Sequence, residues 1–75
     1  MKERVREVVG EVFQLERGSI GESTSPDSVR RWDSLGHLQL IAALEREFGV
    51  RFQVREIQAM DSVAGIEEIL ALRLG

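Results

Sequence analysis

Apolar residues recur along the chain in four blocks, and their spacing assigns an element to each. Val5, Val8, Val9, Val12 and Phe13 follow one another at steps of 3, 1, 3 and 1, with charged residues between them. That is one face of a helix, and it predicts a first helix over about 2–15. Gly10 falls inside it, where glycine costs about 1 kcal/mol relative to alanine. Leu35, Leu38, Ile41, Leu44 and Phe48 step by 3, 3, 3 and 4, and Leu40, Ala42 and Ala43 widen the stripe. They predict a second helix over about 34–48. Asp33 is its natural N-cap, because a carboxylate there can accept from free N–H groups of the first turn. Gly49 suits the left-handed position that ends it. Phe52, Val54, Ile57 and Met60 occupy a stretch short enough for only a brief helical turn near 54–58. Val63, Ile66, Ile69, Leu70 and Leu74 predict a last helix, capped by Asp61 or Ser62.

Residues 16–33 break this pattern. Gly18, Ser19, Gly21, Ser23, Thr24, Ser25, Pro26, Asp27 and Ser28 crowd the segment, and such residues favour turns over ladders. The loop is long for a chain of 75 residues, and long ordered loops are often functional. Ile20, Val29 and Trp32 are its large apolar residues and are expected to pin it to the core. The fold class is therefore all-α: a small four-helix bundle, three longer helices and one short, with a long loop between the first two. Residues 1–75 are expected to form one domain.

Composition narrows the chemistry. There is no cysteine and only one histidine, so neither a disulfide framework nor a zinc finger can staple the fold. Ten basic residues stand against thirteen acidic ones, a net charge of −3. The two halves, 1–37 and 38–75, carry −1 and −2. Nucleic-acid binding needs clustered positive charge, so no nucleic acid is expected as a partner. The longest apolar run, Leu40–Leu44, is too short to span a bilayer or to form a signal-peptide core. A cytoplasmic, monomeric protein is expected.

The chemistry gathers at Trp32-Asp33-Ser34-Leu35. Taken alone, Asp33-Ser34 ahead of a helix reads as a capping pair. A phosphodiester on Ser34 would also lie in a favourable field, at the positive end of the helix. His37, three residues on, shares a helix face with Ser34. An Asp33, Ser34 and His37 triad would still lack an oriented base, an oxyanion hole and a cleft, so His37 is read as a surface histidine. Trp32 is read as a loop anchor, with a partner contact as the alternative.

The run W-D-S-L-G-H-L-Q-L-I-A-A-L-E-R-E-F-G-V-R-F over residues 32–52 resembles the acyl carrier proteins. Their pattern is D-S-L at the start of the second helix, a leucine stripe and a closing L-E-x-x-F-G. The resemblance extends to the order of elements over nearly the whole chain. It implies that Ser34 carries 4′-phosphopantetheine, attached from coenzyme A by a phosphopantetheinyl transferase, and that the arm's thiol holds an acyl group as a thioester. It implies that Asp33 caps the helix and that Leu35 helps form the patch partners read. The second helix and the loop before it become the docking surface for loading and processing enzymes. Contact between His37 and the arm's phosphate is a further expectation. Some of Ile41, Phe48, Phe52, Ile57, Met60, Val63 and Ile66 are expected to line a shelter for the acyl chain.

The chain departs from the fatty-acid-synthase carriers in its charge. Residues 34–49 hold Glu45 and Glu47 against Arg46, where such carriers have a strongly acidic helix. Gly36 and Gln39 stand where many relatives have acids, and Arg30, Arg31, Arg51 and Arg55 lie nearby. The expectation is a free-standing carrier, itself not an enzyme, for a specialised pathway making a polyketide, a nonribosomal peptide or a modified fatty acid. An aminoacyl or peptidyl carrier is the nearest alternative. An unmodified helical interaction module, with Ser34 as a cap only, is the alternative of another class; a small DNA-binding domain is disfavoured by charge and loop length.

Overall fold

A computed structural model describes residues 1–75. Its helices are α1 (Lys2–Phe13), α2 (Ser34–Phe48), α3 (Val54–Ala59) and α4 (Val63–Leu74). A single 3₁₀ turn, Arg17–Ser19, interrupts the long loop. Val5, Val8, Val9 and Phe13 of α1, Leu40, Ile41 and Leu44 of α2, and Val63, Ile66 and Leu70 of α4 pack together in the core. Met60, Phe52 and the loop residues Ile20, Val29 and Trp32 complete it, so the expected anchors of the loop are buried.

Four local features differ from the sequence reading. Helix α1 stops at Phe13, not near residue 15, because Gln14 takes a left-handed conformation with φ 56°. The Leu15 N–H then folds back onto the Gly10 carbonyl at 3.0 Å. The 3₁₀ turn had no apolar periodicity to announce it. The buried face of α2 is Gly36, Leu40, Ile41 and Leu44, whereas Leu35 and Leu38 point outward, 65% and 60% exposed. Leu74, expected to continue the core stripe of α4, is also exposed; the stripe ends at Leu70.

The ends of α2 and the start of α4 are satisfied by identifiable groups. Asp33 Oδ1 accepts from the Gly36 N–H at 2.8 Å. Gly49 closes α2 at φ 67°, a backbone conformation that suits glycine. The first two N–H groups of α4, on Val63 and Ala64, donate to the loop carbonyls of Thr24 and Glu22 at 2.9 and 3.0 Å. The third, on Gly65, donates to Ser62 Oγ at 3.0 Å, so Ser62 is the cap. Arg4 joins α1 to α2 through Glu47 while also meeting Glu7. Arg73 of α4 meets Glu56 of α3 and the carbonyl of Arg51.

Candidate functional site

The site is built around the junction of the long loop and α2. Asp33 has extended geometry and acts as the N-cap, so Ser34 is the first helical residue. The cap bond belongs to Asp33 Oδ1, which leaves the exposed Ser34 hydroxyl unused by the helix. The Ser34 and Leu35 N–H groups precede the first intrahelical bonds and point out of the helix end, where partial positive charge collects. Ser34 opens onto a solvent-facing cleft of about 590 Å³ between α2, α3 and the loop. Pro26, Trp32, His37, Leu38, Ile57 and Met60 form much of its wall, and Asp33, Gln58 and Asp61 line it as well.

Trp32 and His37 hold the floor of this cleft in register. The indole of Trp32 is 3% exposed and stacks on Phe13, with ring centroids 5.3 Å apart. Its Nε1–H donates to His37 Nδ1 at 2.9 Å. Indole can only donate, so Nδ1 must be the acceptor and the imidazole proton lies on Nε2. That Nε2–H donates to the Ile57 carbonyl at 2.8 Å. One histidine thereby ties the loop, α2 and α3 together, and the stacked Trp32 and Phe13 extend the tie to α1.

This corrects the reading of His37 as a surface residue. It is half-buried, and both ring nitrogens are spent on protein partners. No nitrogen is left to contact a phosphate or to deprotonate Ser34. The Asp33 carboxylate serves the helix end instead of orienting the imidazole, so the three residues do not form a triad. Trp32 is the loop anchor it was expected to be.

Gly36 is buried on the inner face of α2. Its place is not a surface site that could carry an acid. A Cβ there would lie 1.9 Å from the Arg31 carbonyl oxygen and 3.0 Å from Phe13 Cε1. The loop crosses directly over α2 at this point, which fixes Arg31, Trp32 and Asp33 immediately ahead of Ser34. A glycine inside a helical pattern was the available signal of such close approach.

The residues expected to shelter an acyl chain divide. Only Ile57 and Met60 reach the cleft beside Ser34. Ile41, Phe52, Val63 and Ile66 are buried in the core, and Phe48 packs against it. Leu35 lies outside this cleft, in a smaller groove on the α1 side with Val12, Arg31 and Gln39. Pro26, Gln58 and Asp61 were not read as site residues from the sequence, since nothing local marks residues that meet at the cleft only in the fold.

A helical bundle that presents a free serine at the start of its second helix is the architecture of a prosthetic-group carrier, and the comparisons agree. The family model for the phosphopantetheine attachment site matches residues 3–70. The chain belongs to that family, and its cofactor is accordingly phosphopantetheine. The polyketide-8 synthase acyl carrier protein 2 of Streptomyces avermitilis is 32% identical over 74 residues, spanning 99% of this chain and 85% of that protein. Among solved structures, a chain described as an acyl carrier protein from Mycobacterium tuberculosis superposes with a TM-score of 0.83 at 25% identity, covering 95% of each chain. Membership implies a phosphopantetheinyl transferase and biosynthetic enzymes as partners. No helix is long and apolar enough to cross a membrane.

Proposed function

We propose that Ser34 is the attachment residue for 4′-phosphopantetheine and that residues 1–75 act as one carrier domain for acyl intermediates of a specialised biosynthetic pathway. The polyketide synthase relative supports a polyketide setting. The carrying observation is the division of labour at the helix start. Asp33 does the capping, and Ser34, one residue on, keeps an exposed hydroxyl beside an open cleft. A serine that served only as a cap would hold the bond that Asp33 holds.

The residues present fit the group. When bound, it supplies a thiol that holds an acyl chain as a thioester. The Ser34 oxygen would bond to the pantetheine-bearing phosphorus of coenzyme A as 3′,5′-adenosine bisphosphate leaves that phosphorus, and the hydroxyl proton would pass to the transferase. The Ser34 and Leu35 N–H groups face the phosphate with the positive end of α2. Leu38 and Ile57 give the arm an apolar wall to lie against. Exposed Leu35 and Leu38 give partners an apolar contact on α2. The chain itself supplies no catalytic base at Ser34, because His37 is fully engaged; the chemistry belongs to partner enzymes, in the cytoplasm where coenzyme A is at hand.

Intact mass tests the assignment. The unmodified protein is incubated with coenzyme A and a broad-specificity phosphopantetheinyl transferase, with Ser34→Ala alongside. A gain of one phosphopantetheine in the parent and none in the variant is expected. No gain in the folded parent, or an equal gain in Ser34→Ala, would overturn it; the first result favours the unmodified interaction module.

A further inference from the structure

The basic side chains of this chain divide into two sets. Lys2, Arg4, Arg6, Arg17 and Arg73 each meet a carboxylate in an ion pair. Arg30, Arg31, Arg46, Arg51 and Arg55 meet none, and all five are exposed. The unpaired set is confined to the loop before α2, α2 itself, the segment leading into α3 and the first turn of α3.

The outward face of α2 shows how this set is arranged. Leu35, Gln39, Ala42 and Arg46 recur at steps of four, three and four and are all exposed, so they form one strip along the helix. No carboxylate falls on that strip. Glu47 lies toward α1, held by Arg4 at 2.7 Å. Glu45 lies toward α3, where its Oε2 accepts from the Phe52 N–H at 2.8 Å. At the N-terminal end, Arg31 shares a groove with Leu35 and Gln39. At the other end, Arg46 and Arg51 share a groove with Ala42 and Glu45. The strip is thus neutral and partly apolar in the middle and arginine-bearing at both ends, which helix geometry sets about 20 Å apart. Five unpaired arginines face outward over this region against the carboxylates of Asp27, Asp33 and Glu45, Glu47 and Glu56 being held by Arg4 and Arg73, in a chain whose net charge is −3.

We infer that the outer strip of α2, from Arg31 to Arg46 and Arg51, docks a partner enzyme whose contact face carries carboxylates on either side of an apolar patch. The inference rests on the carrier reading for the identity of the partner as an enzyme, and on the charge arrangement for its chemistry. Free guanidinium groups present planar forks that match carboxylates. Charges around the edge of a contact act chiefly by steering association and rejecting partners of the wrong sign. The arginines already spent within the bundle cannot do this, and the strip retains those that can.

The test measures association kinetics of the unmodified protein with two condensing enzymes of known structure. One has an acidic mouth to its substrate tunnel and the other a basic one. Faster association with the acidic mouth is expected, falling about tenfold in Arg31→Glu/Arg46→Glu and falling as salt is raised. Arg31→Gln/Arg46→Gln should fall between, and unchanged far-ultraviolet circular dichroism certifies that each variant is folded. Preference for the basic mouth, or rates within twofold in the folded charge-reversed variant, would overturn the inference. Because the protein is used without its prosthetic group, the result does not depend on Ser34. Arginine-dependent docking together with a failed mass gain would sink the attachment assignment and leave the docking surface standing; the converse pattern would do the reverse.

Discussion

Replacing Gly36 with alanine sets two known effects against each other, and the structure decides between them. Within a helix, alanine is favoured over glycine by about 1 kcal/mol. At this position, however, the new Cβ would lie 1.9 Å from the Arg31 carbonyl oxygen and 3.1 Å from its carbon. A close C···O contact is about 3.3 Å, so the backbone of the loop must retreat by roughly 1.4 Å. The obstacle is main chain, which cannot swing aside as the tip of a side chain can. Moving it also disturbs Trp32, whose N–H donates to the Val29 carbonyl at 3.0 Å and whose ring is locked between Phe13 and His37. Overpacking typically costs about 1–3 kcal/mol, and displacing a backbone segment belongs at the upper end. The net expectation is a loss of about 1–2 kcal/mol. For a domain of this size that lowers Tm by roughly 5–15 °C. Thermal unfolding followed by circular dichroism measures it, with Gly18→Ala as control, because a Cβ at Gly18 meets no atom within 4 Å. Gly36→Ala should also slow modification of Ser34, since the displaced segment directly precedes it. A Tm equal to or above the parent's would refute the claim that the crossing at Gly36 is tight.

Two further outcomes follow from the contacts described. His37→Ala leaves the Trp32 indole N–H and the Ile57 carbonyl without their partner; a loss of about 1–3 kcal/mol in urea unfolding is expected, with Trp32 fluorescence shifted to longer wavelength, and an unshifted spectrum would count against the clamp. Acid should weaken the fold through Glu47 and Glu56, both held below the ordinary 4.5: Glu47 by hydrogen bonding from Arg4, Glu56 first by the Gln53 N–H and then by Arg73. Their contribution is complete above the unfolded value of 4.5 and is lost as pH falls through the lower folded values. The urea midpoint should therefore drop below pH 4.5, and Glu47→Gln/Glu56→Gln should show a shallower drop over the same window.

Helix α2 was legible from end to end because its boundaries are local chemistry: a carboxylate at Asp33, a glycine at Gly49 and apolar positions between. Its orientation was not. With Leu35, Leu38, Leu40, Ile41 and Leu44 all apolar, periodicity admits more than one inward face. The choice fell to Gly36, which allows the loop to cross, so Leu40 went in and Leu38 out. Ser34 and its cap were readable for the same local reason as the helix start. The partners of His37 were not, because Trp32 and Ile57 reach it only once the loop and α3 have docked. The early stop of α1 depends on the conformation of one residue, Gln14, whose identity does not announce a left-handed turn. The unpaired arginines could be counted in the sequence, but which arginines lacked a partner is a property of the packed bundle.

The loop between α1 and α2 has few hydrophobic anchors, yet it also provides the backbone acceptors at the start of α4. Lifting the stretch around Glu22 and Thr24 would strip Val63 and Ala64 of their hydrogen bonds. The segment leading to Ser34 and the last helix are therefore expected to open as one cooperative unit. Whatever pries the loop from the bundle, a binding enzyme or heat, must also unseal the N-terminus of a helix that contributes three buried apolar side chains to the interior. Amide exchange at Val63 and Ala64 then becomes a clock for events at the other end of the loop, beside the serine.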